Sequence, residues 1–262
     1  MQRNFSQMSD RNIIVIPARG GSEGIKEKNL QIVGGDPLVI RSLKHAFEMG
    51  SDYSVVLSTD SQAILDTAAD FLELKRFNLA HQEPDTIRDL GPIKLHFRSQ
   101  EFADSKAIIG TTLQSLRLIC LKASMQFDCW ILLQPTTPFR STKEIHQLAT
   151  EIRKNFGPND SWVSVKKIED SHPARMYEIF DASSNLTSLP GYEHLKAARR
   201  QDLPSVYLRD GAFYCISDEL VAAGKQFSES PRAIIRNGAW TINIDDEMNL
   251  EMARMYSGIL SE

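Results

Sequence analysis

Asn12-Ile13-Ile14-Val15-Ile16-Pro17 runs directly into Ala18-Arg19-Gly20-Gly21-Ser22-Glu23-Gly24-Ile25-Lys26-Glu27-Lys28-Asn29. Four consecutive apolar residues closed by proline read as a buried strand. The three glycines that follow let a backbone approach an anion and aim N–H groups at it. Arg19 and Lys28 add positive charge, and Ser22 adds a hydroxyl donor. The spacing is neither GxxxxGK[ST] nor GxGxxG. The local pattern therefore fits either an anion-gripping loop or a plain glycine turn between two elements.

Outward from this point, apolar runs alternate with amphipathic stretches. Tyr53–Ser58, Ile93–Phe97, Trp130–Leu133, Trp162–Lys167, Ala212–Ile216 and Ala233–Arg236 read as strands. Leu38–Met49, Ser61–Leu74 and Ala107–Leu121 read as helices, with apolar residues at three- and four-residue spacing, and Asp218–Ala223 and Glu247–Tyr256 read as two further helices. Ser58-Thr59-Asp60 and Ser141-Thr142 offer N-caps. Strands alternating with helices predict an α/β fold with a mostly parallel sheet and right-handed crossovers. Two stretches break the rhythm. Leu74–Pro92 is polar, carries two prolines and reads as a surface excursion. Ser171–Pro204 is irregular and rich in Pro, Ser and basic residues, and reads as a small subdomain or an arm that meets a partner chain.

The bulk numbers narrow the function classes. The 262 residues are 42% hydrophobic, enough for a full core, and are expected to form one domain over 1–262. The net charge of −4 supplies no basic field for a nucleic-acid backbone, so an anionic ligand must be held by a few local cations. No run of about 20 apolar residues predicts a membrane span. The polar Met1–Arg11 segment lacks an apolar signal core, and the expected location is cytoplasmic. Cys120, Cys129 and Cys215 make no metal-like pair, and Cys215 reads as a buried, inert thiol.

The opening motif PARGGSEGIKEKN resembles that of the acylneuraminate cytidylyltransferases, the CMP-sialic acid synthetases. Further segments match in order: Leu57–Asp60, Phe97-Arg98, Leu132–Arg140 (LLQPTTPFR), Arg199–Pro204 (RRQDLP), Asp210–Tyr214 (DGAFY) and Ile244-Asp245. The resemblance implies a Rossmann-like, mostly parallel sheet flanked by helices, with residues 171–204 as a dimerisation and substrate arm. It implies transfer of CMP from CTP to the anomeric hydroxyl of a sialic-acid-type nonulosonic acid, with release of pyrophosphate. Relatives that use GTP, or that activate legionaminic acid, pseudaminic acid or Kdo, stay open at this point. So does an impaired homologue that only binds nucleotide or sugar.

Carried onto this chain, the resemblance assigns Arg19, Gly20, Gly21, Ser22, Asn29, Arg98 and Gln134 to the nucleotide, with Arg19, Lys28 and Asp245 as the catalytic set. Gln134, Arg175 and Arg200 are assigned to the sugar, whose carboxylate suits arginine. Mg²⁺ is the expected cofactor, with Asp245 and Asn243 as its ligands. From local sequence alone, Asp245 reads first as a cap for the last helix, and the resemblance makes it a metal ligand. His172 reads as a turn residue, and Tyr207, Phe213 and Tyr214 as core. The partners are CTP, a nonulosonic acid and a second copy of the chain, with no nucleic acid and no membrane.

Four positions depart from the family pattern. Glu23 stands where lysine is usual, and like charges about 4 Å apart cost on the order of 4 kcal/mol at an effective dielectric of ~20. Asn243 and Asn249 replace aspartates. Downstream of Arg98 the usual aspartate comes one position early, as Asp104, leaving Ser105 in its place.

Overall fold

The structure is a computed structural model that describes residues 11–21, 24–76, 78–99, 101, 109–168, 170–180, 184–236 and 241–259. β1 (Asn12–Pro17) lies between β4 (Tyr53–Thr59) and β7 (Cys129–Leu132), parallel to both, with Ile14 opposite Val55 and Ile131. β6 (Lys94–Phe97) continues the parallel set beyond β4. On the other side, β11 (Tyr207–Ser217) runs antiparallel between β7 and β8 (Ser161–Lys167), and β12 (Arg232–Arg236) closes that edge parallel to β8. Among the described residues the sheet order is β12-β8-β11-β7-β1-β4-β6-β5, with β5 (Thr86–Asp89) at the far edge. The mostly parallel α/β architecture expected from the alternating pattern is present.

Burial of both sheet faces explains the continuous apolar runs. Side chains alternate along β1, so Ile14 and Ile16 enter one core and Ile13 and Val15 the other. Each fully buried isoleucine contributes roughly 1.5–3 kcal/mol. The first core meets α1 (Leu38–Glu48), α2 (Gln62–Phe71) and α4 (Thr142–Asn155) through Leu43, Ile64 and Leu148. The second meets α3 (Ile109–Lys122) and α5 (Asp218–Ala222) through Leu116 and Leu220. A smaller third cluster joins Ile25 of the post-β1 loop, Val33 of the short hairpin β2 (Ile32–Val33)–β3 (Asp36–Pro37), Ile244, and Leu250 of the final helix α6 (Glu247–Ile259). That cluster places the chain's last segment beside its first loop.

Some expectations need correction. The 74–92 stretch is more than a surface excursion. It holds a 3₁₀ turn at Leu79–His81 and then β5 (Thr86–Asp89), an edge strand antiparallel to β6. Ser58 and Thr59 belong to β4, and the cap of α2 is Ser61, whose Oγ accepts the Ile64 N–H. Ser141 does cap α4, in a reciprocal box with Glu144. Tyr207 is 46% exposed rather than core, whereas Phe213 and Tyr214 are buried. All three cysteines are buried. Within 171–204, β9 (Tyr177–Glu178) and β10 (Thr187–Ser188) form a separate two-stranded sheet, flanked by 3₁₀ turns. No described helix is long and apolar enough to cross a membrane.

Candidate nucleotide site

The carboxyl ends of β1, β4, β6, β7, β8 and β12 share one edge of the sheet, the edge where open α/β sheets hold ligands. After β1 the chain stays paired for one more residue, through Ala18 N–H to the Ser58 carbonyl at 2.9 Å. Gly20 N–H then donates to Asp60 Oδ1 at 2.8 Å. A Cβ on Gly20 would stand 2.8 Å from Ser61 Cβ, so the close approach of the two loops requires glycine there. Gly21 is exposed, with nothing within 4 Å of its Cβ position. Ser22 and Glu23 lie outside the described residues, as do Asp104 and Ser105.

The loop closes in a 3₁₀ turn at Lys28–Leu30. Asn29 is buried, and its Nδ2 donates to the Arg19 carbonyl at 2.8 Å, so it braces the loop from beneath. Lys28 reaches the far end of the chain. Its Nζ donates to the Ile244 carbonyl at 3.0 Å and to the Asp245 carbonyl at 3.3 Å, and lies 3.6 Å from Asp245 Oδ1. The capping role open to Asp245 belongs to its neighbour. Asp246 Oδ1 accepts the Asn249 N–H at 2.7 Å, and its carbonyl accepts from Leu250 at 3.1 Å. Asp245 thus keeps an exposed carboxylate, oriented by Asn243 Nδ2 at 2.6 Å. Asn249 Oδ1 accepts the Asp245 N–H at 3.3 Å.

Arg98 projects from the end of β6 and is 9% exposed. Burial lowers its pKa to about 10, with Asp60 opposing the shift and Arg19 adding to it. It remains a cation facing the post-β1 loop. Gln134 follows β7, and its carbonyl accepts from Arg140 Nη2 at 2.9 Å. Its Oε1 lies 3.3 Å from a Cβ placed on Gly211, within the irregularity between Arg209 and Tyr214 of β11.

Arg19, Gly20, Gly21, Lys28, Asn29, Arg98, Gln134, Asn243 and Asp245 therefore converge on one sheet edge. Arg175 and Arg200 stand apart. With Lys167 at the end of β8 they line a separate open cavity of about 530 Å³, where Arg200 pairs with Asp170 at 2.9 Å. Three strand spacings separate β8 from β1, on the order of 14 Å. His172 is buried there. Its Nδ1 accepts the Ala174 N–H and its Nε2 donates to the Pro204 carbonyl, so it is the turn brace expected from the sequence.

A buried polar network not singled out from the sequence supports the Gln134 loop. Arg236 Nη1 pairs with Asp210 Oδ2, and its Nε with Glu144 Oε1, each at 2.9 Å. Asp210 Oδ1 accepts from Ser164 Oγ at 2.5 Å. Arg140 Nε donates to the Ala212 carbonyl at 2.8 Å, while burial, reinforced by Arg236, brings its pKa down to about 9. The available sequence signal was charge inside apolar runs, as in Leu208–Ile216 and Ala233–Arg236.

Could Mg²⁺ sit here? Mg²⁺ sites beside nucleotides commonly use one or two protein oxygens, waters and substrate phosphates. The exposed Asp245 carboxylate and the Asn243 amide fit such a set, although no group of three His, Cys, Asp or Glu suited to a metal occurs among the described residues.

The chain is similar to known proteins of one kind. Residues 13–89 match the family model described as cytidylyltransferase. The CMP-N,N'-diacetyllegionaminic acid synthase of Legionella pneumophila is 26% identical over 243 residues, covering 93% of this chain and 94% of that protein. The N-acylneuraminate cytidylyltransferase of Escherichia coli is 26% identical over 253 residues, and this chain spans about half (52%) of its length. In fold, a CMP:2-keto-3-deoxy-manno-octonic acid synthetase solved with CTP superposes with a TM-score of 0.60 at 15% identity, over 95% of this chain and 99% of that one. Over nearly its whole length the chain is thus similar to cytidylyltransferases, and residues 13–89 carry the match to their family model.

Proposed function

We propose that the chain transfers CMP from CTP to the anomeric hydroxyl of a nonulosonic acid, a nine-carbon 2-keto acid sugar. The sugar oxygen forms a bond to the α-phosphorus, the bond from that phosphorus to the β-phosphate oxygen breaks, and pyrophosphate leaves. The hydroxyl proton is released. The observation that carries this reading is the meeting of Lys28 with Asp245 at the glycine loop, with Arg98 alongside.

Such a transfer is governed by positioning and by stabilisation of charge. The Gly20–Gly21 backbone with Arg19, Ser22, Lys28 and Arg98 grips the triphosphate, and Asn29 holds the loop in shape. Gln134 touches nucleotide or sugar. Asp245 and Asn243 hold Mg²⁺, which offsets phosphate charge when bound. Arg175 and Arg200 take the sugar carboxylate, and the 171–204 arm brings them to the neighbouring active site of a homodimer. A cytoplasmic location, where CTP is made, goes with this reading.

The test is pyrophosphate release from CTP by the purified chain, with sialic, legionaminic and pseudaminic acids and Kdo as acceptors. Release should require both a nonulosonic acid and Mg²⁺. No release with any acceptor, or release from GTP in preference to CTP, would overturn the assignment. The near full-length match to the legionaminic relative, against half of the neuraminate one, makes N,N'-diacetyllegionaminic acid the first acceptor to try.

A further inference from the structure

Arg98 is clamped by residues to which the nucleotide reading gives no role. Ser58 on β4 and His96 on β6 are paired across adjacent strands. Ser58 Oγ lies 2.8 Å from His96 Nδ1, and it also lies 3.2 Å from Arg98 Nε and 3.1 Å from Arg98 Nη2. A serine hydroxyl has one proton and two lone pairs. Both lone pairs face guanidinium N–H groups, which can only donate, so the proton goes to His96 Nδ1. This makes His96 a neutral imidazole carrying its hydrogen on Nε2. Burial lowers its pKa to about 4, with Arg98 adding to the shift and Asp85 opposing it. Nε2 is buried, makes no hydrogen bond among the described residues, and lies 3.8 Å from Asp85 Oδ1.

Asp85 belongs to the 74–92 stretch, just before β5. It adopts a left-handed backbone, φ 55°, that disfavours residues with a side chain. Its N–H donates to the Phe97 carbonyl at 2.7 Å, and its Oδ1 accepts the Ser99 N–H at 3.0 Å. It thereby holds the backbone on both sides of Arg98. Arg98 N–H is itself bound to the Thr59 carbonyl at 2.9 Å, and Nη2 also donates to the Ser58 carbonyl at 3.2 Å. Nη1 makes no hydrogen bond among the described residues. It is the edge left for a ligand, and the charges that act on this guanidinium are Asp60 and Arg19 of the glycine-loop neighbourhood.

We propose that Asp85 and His96 are positioning residues: through Ser58 and the 97–99 backbone they fix the Arg98 guanidinium so that its Nη1 edge meets the anionic part of a nucleoside triphosphate. The proposal rests on the nucleotide reading above and gives the 74–92 segment a task.

Two readouts test it on the full chain. The first is the rate at which Arg98 is modified by phenylglyoxal, mapped by peptide mass spectrometry, with and without CTP. The second is the split between KM for CTP and kcat. Asparagine can place its amide oxygen where His96 Nδ1 stood, and glutamine cannot. In His96→Gln and in Asp85→Ala, Arg98 should react about tenfold faster and KM for CTP should rise about tenfold with kcat nearly unchanged. His96→Asn should stay within about twofold of the natural protein. In an Arg98→Ala background, His96→Gln should add no further loss, as expected for groups acting through one another. Unchanged Arg98 reactivity in both variants overturns the proposal, and so does an equal KM penalty with and without Arg98. Asp85→Ala keeps the test open should His96→Gln fail to fold. If CTP does not slow modification of Arg98 in the natural protein, the nucleotide reading fails, and the clamp is then judged by reactivity alone.

Discussion

Lys28 and Asp245 stand 217 residues apart in the chain, yet Lys28 Nζ binds the Ile244 and Asp245 carbonyls and lies 3.6 Å from the Asp245 carboxylate. The lysine fastens the last segment to the first loop, and on the proposed function it also brings positive charge to the triphosphate. Lys28→Met should lower kcat/KM by roughly a hundredfold, the scale found for removing one preorganised donor. Asp245→Asn should raise the Mg²⁺ concentration needed for half-maximal rate. Pyrophosphate release measured across a Mg²⁺ series checks both. A Mg²⁺ response unchanged by Asp245→Asn would remove the carboxylate from the metal site.

Gly24 tests the same contact sterically. A Cβ there would stand 2.5 Å from the Asp245 carbonyl oxygen, which belongs to the backbone and cannot swing aside. Gly24→Ala should cost about 1–3 kcal/mol in strain or displacement and separate Lys28 from Asp245. Activity should fall at least tenfold while the thermal midpoint moves by only a few degrees. Gly110→Ala is the control, because its Cβ would strike the Gly224 carbonyl, between α3 and the turn after α5 and among residues assigned no part in the site. There the loss should appear in the thermal midpoint rather than in KM for CTP.

Much of the fold can be read in the sequence because β1, β4, β7 and β8 are apolar runs buried on both faces. β5 escapes such a reading: Thr86-Ile87-Arg88-Asp89 is short, charged and half-exposed at an edge, so no apolar pattern marks it. β9 and β10 have two residues each, too few to show a period. At the site, glycines and cations after a strand point to an anion locally. The approach of Asp245 to Lys28 follows from the packing of Ile25, Val33, Ile244 and Leu250, which no local window contains. Arg140, Asp210 and Arg236 escape for a similar reason, since their partners, Gln134, Glu144, Ser164, Ala212 and one another, are scattered along the chain.

Two buried histidines predict a sensitivity to mild acid. His96 is lowered to about 4, and His45 to about 2, the latter by burial and then by Arg140, Arg41 and Arg236. Unfolded histidines titrate near ~6.5. Below that pH the unfolded chain takes up protons that the folded chain refuses. The stability present above ~6.5 is therefore lost as pH falls toward 4 for His96 and toward 2 for His45. Each contributes a slope of up to about 1.4 kcal/mol per pH unit. Urea unfolding between pH 7 and 5 should show this fall, and His96→Asn should remove about half of it. A variant as acid-sensitive as the natural protein would show that other groups set the slope.

The 171–204 arm makes the last prediction. Ile179, Phe180 and Leu186 of the β9–β10 hairpin are 59%, 75% and 61% exposed, and Tyr207 and Leu208 at the start of β11 are also exposed. Large apolar side chains on one hairpin are costly in water, and the proposed homodimer gives them a cover. If a second copy covers them, light scattering should give twice the chain mass, and Phe180→Glu with Leu186→Glu should halve it. Arg175 and Arg200 line their cavity on the same arm, some three strand spacings from the glycine loop. The monomeric variant should therefore keep its affinity for CTP while its KM for the sugar acid rises at least tenfold. Arg175→Ala in the dimer should do the same. A variant that is monomeric yet keeps the natural KM for the sugar would show that each chain binds its sugar without help from the neighbour's arm.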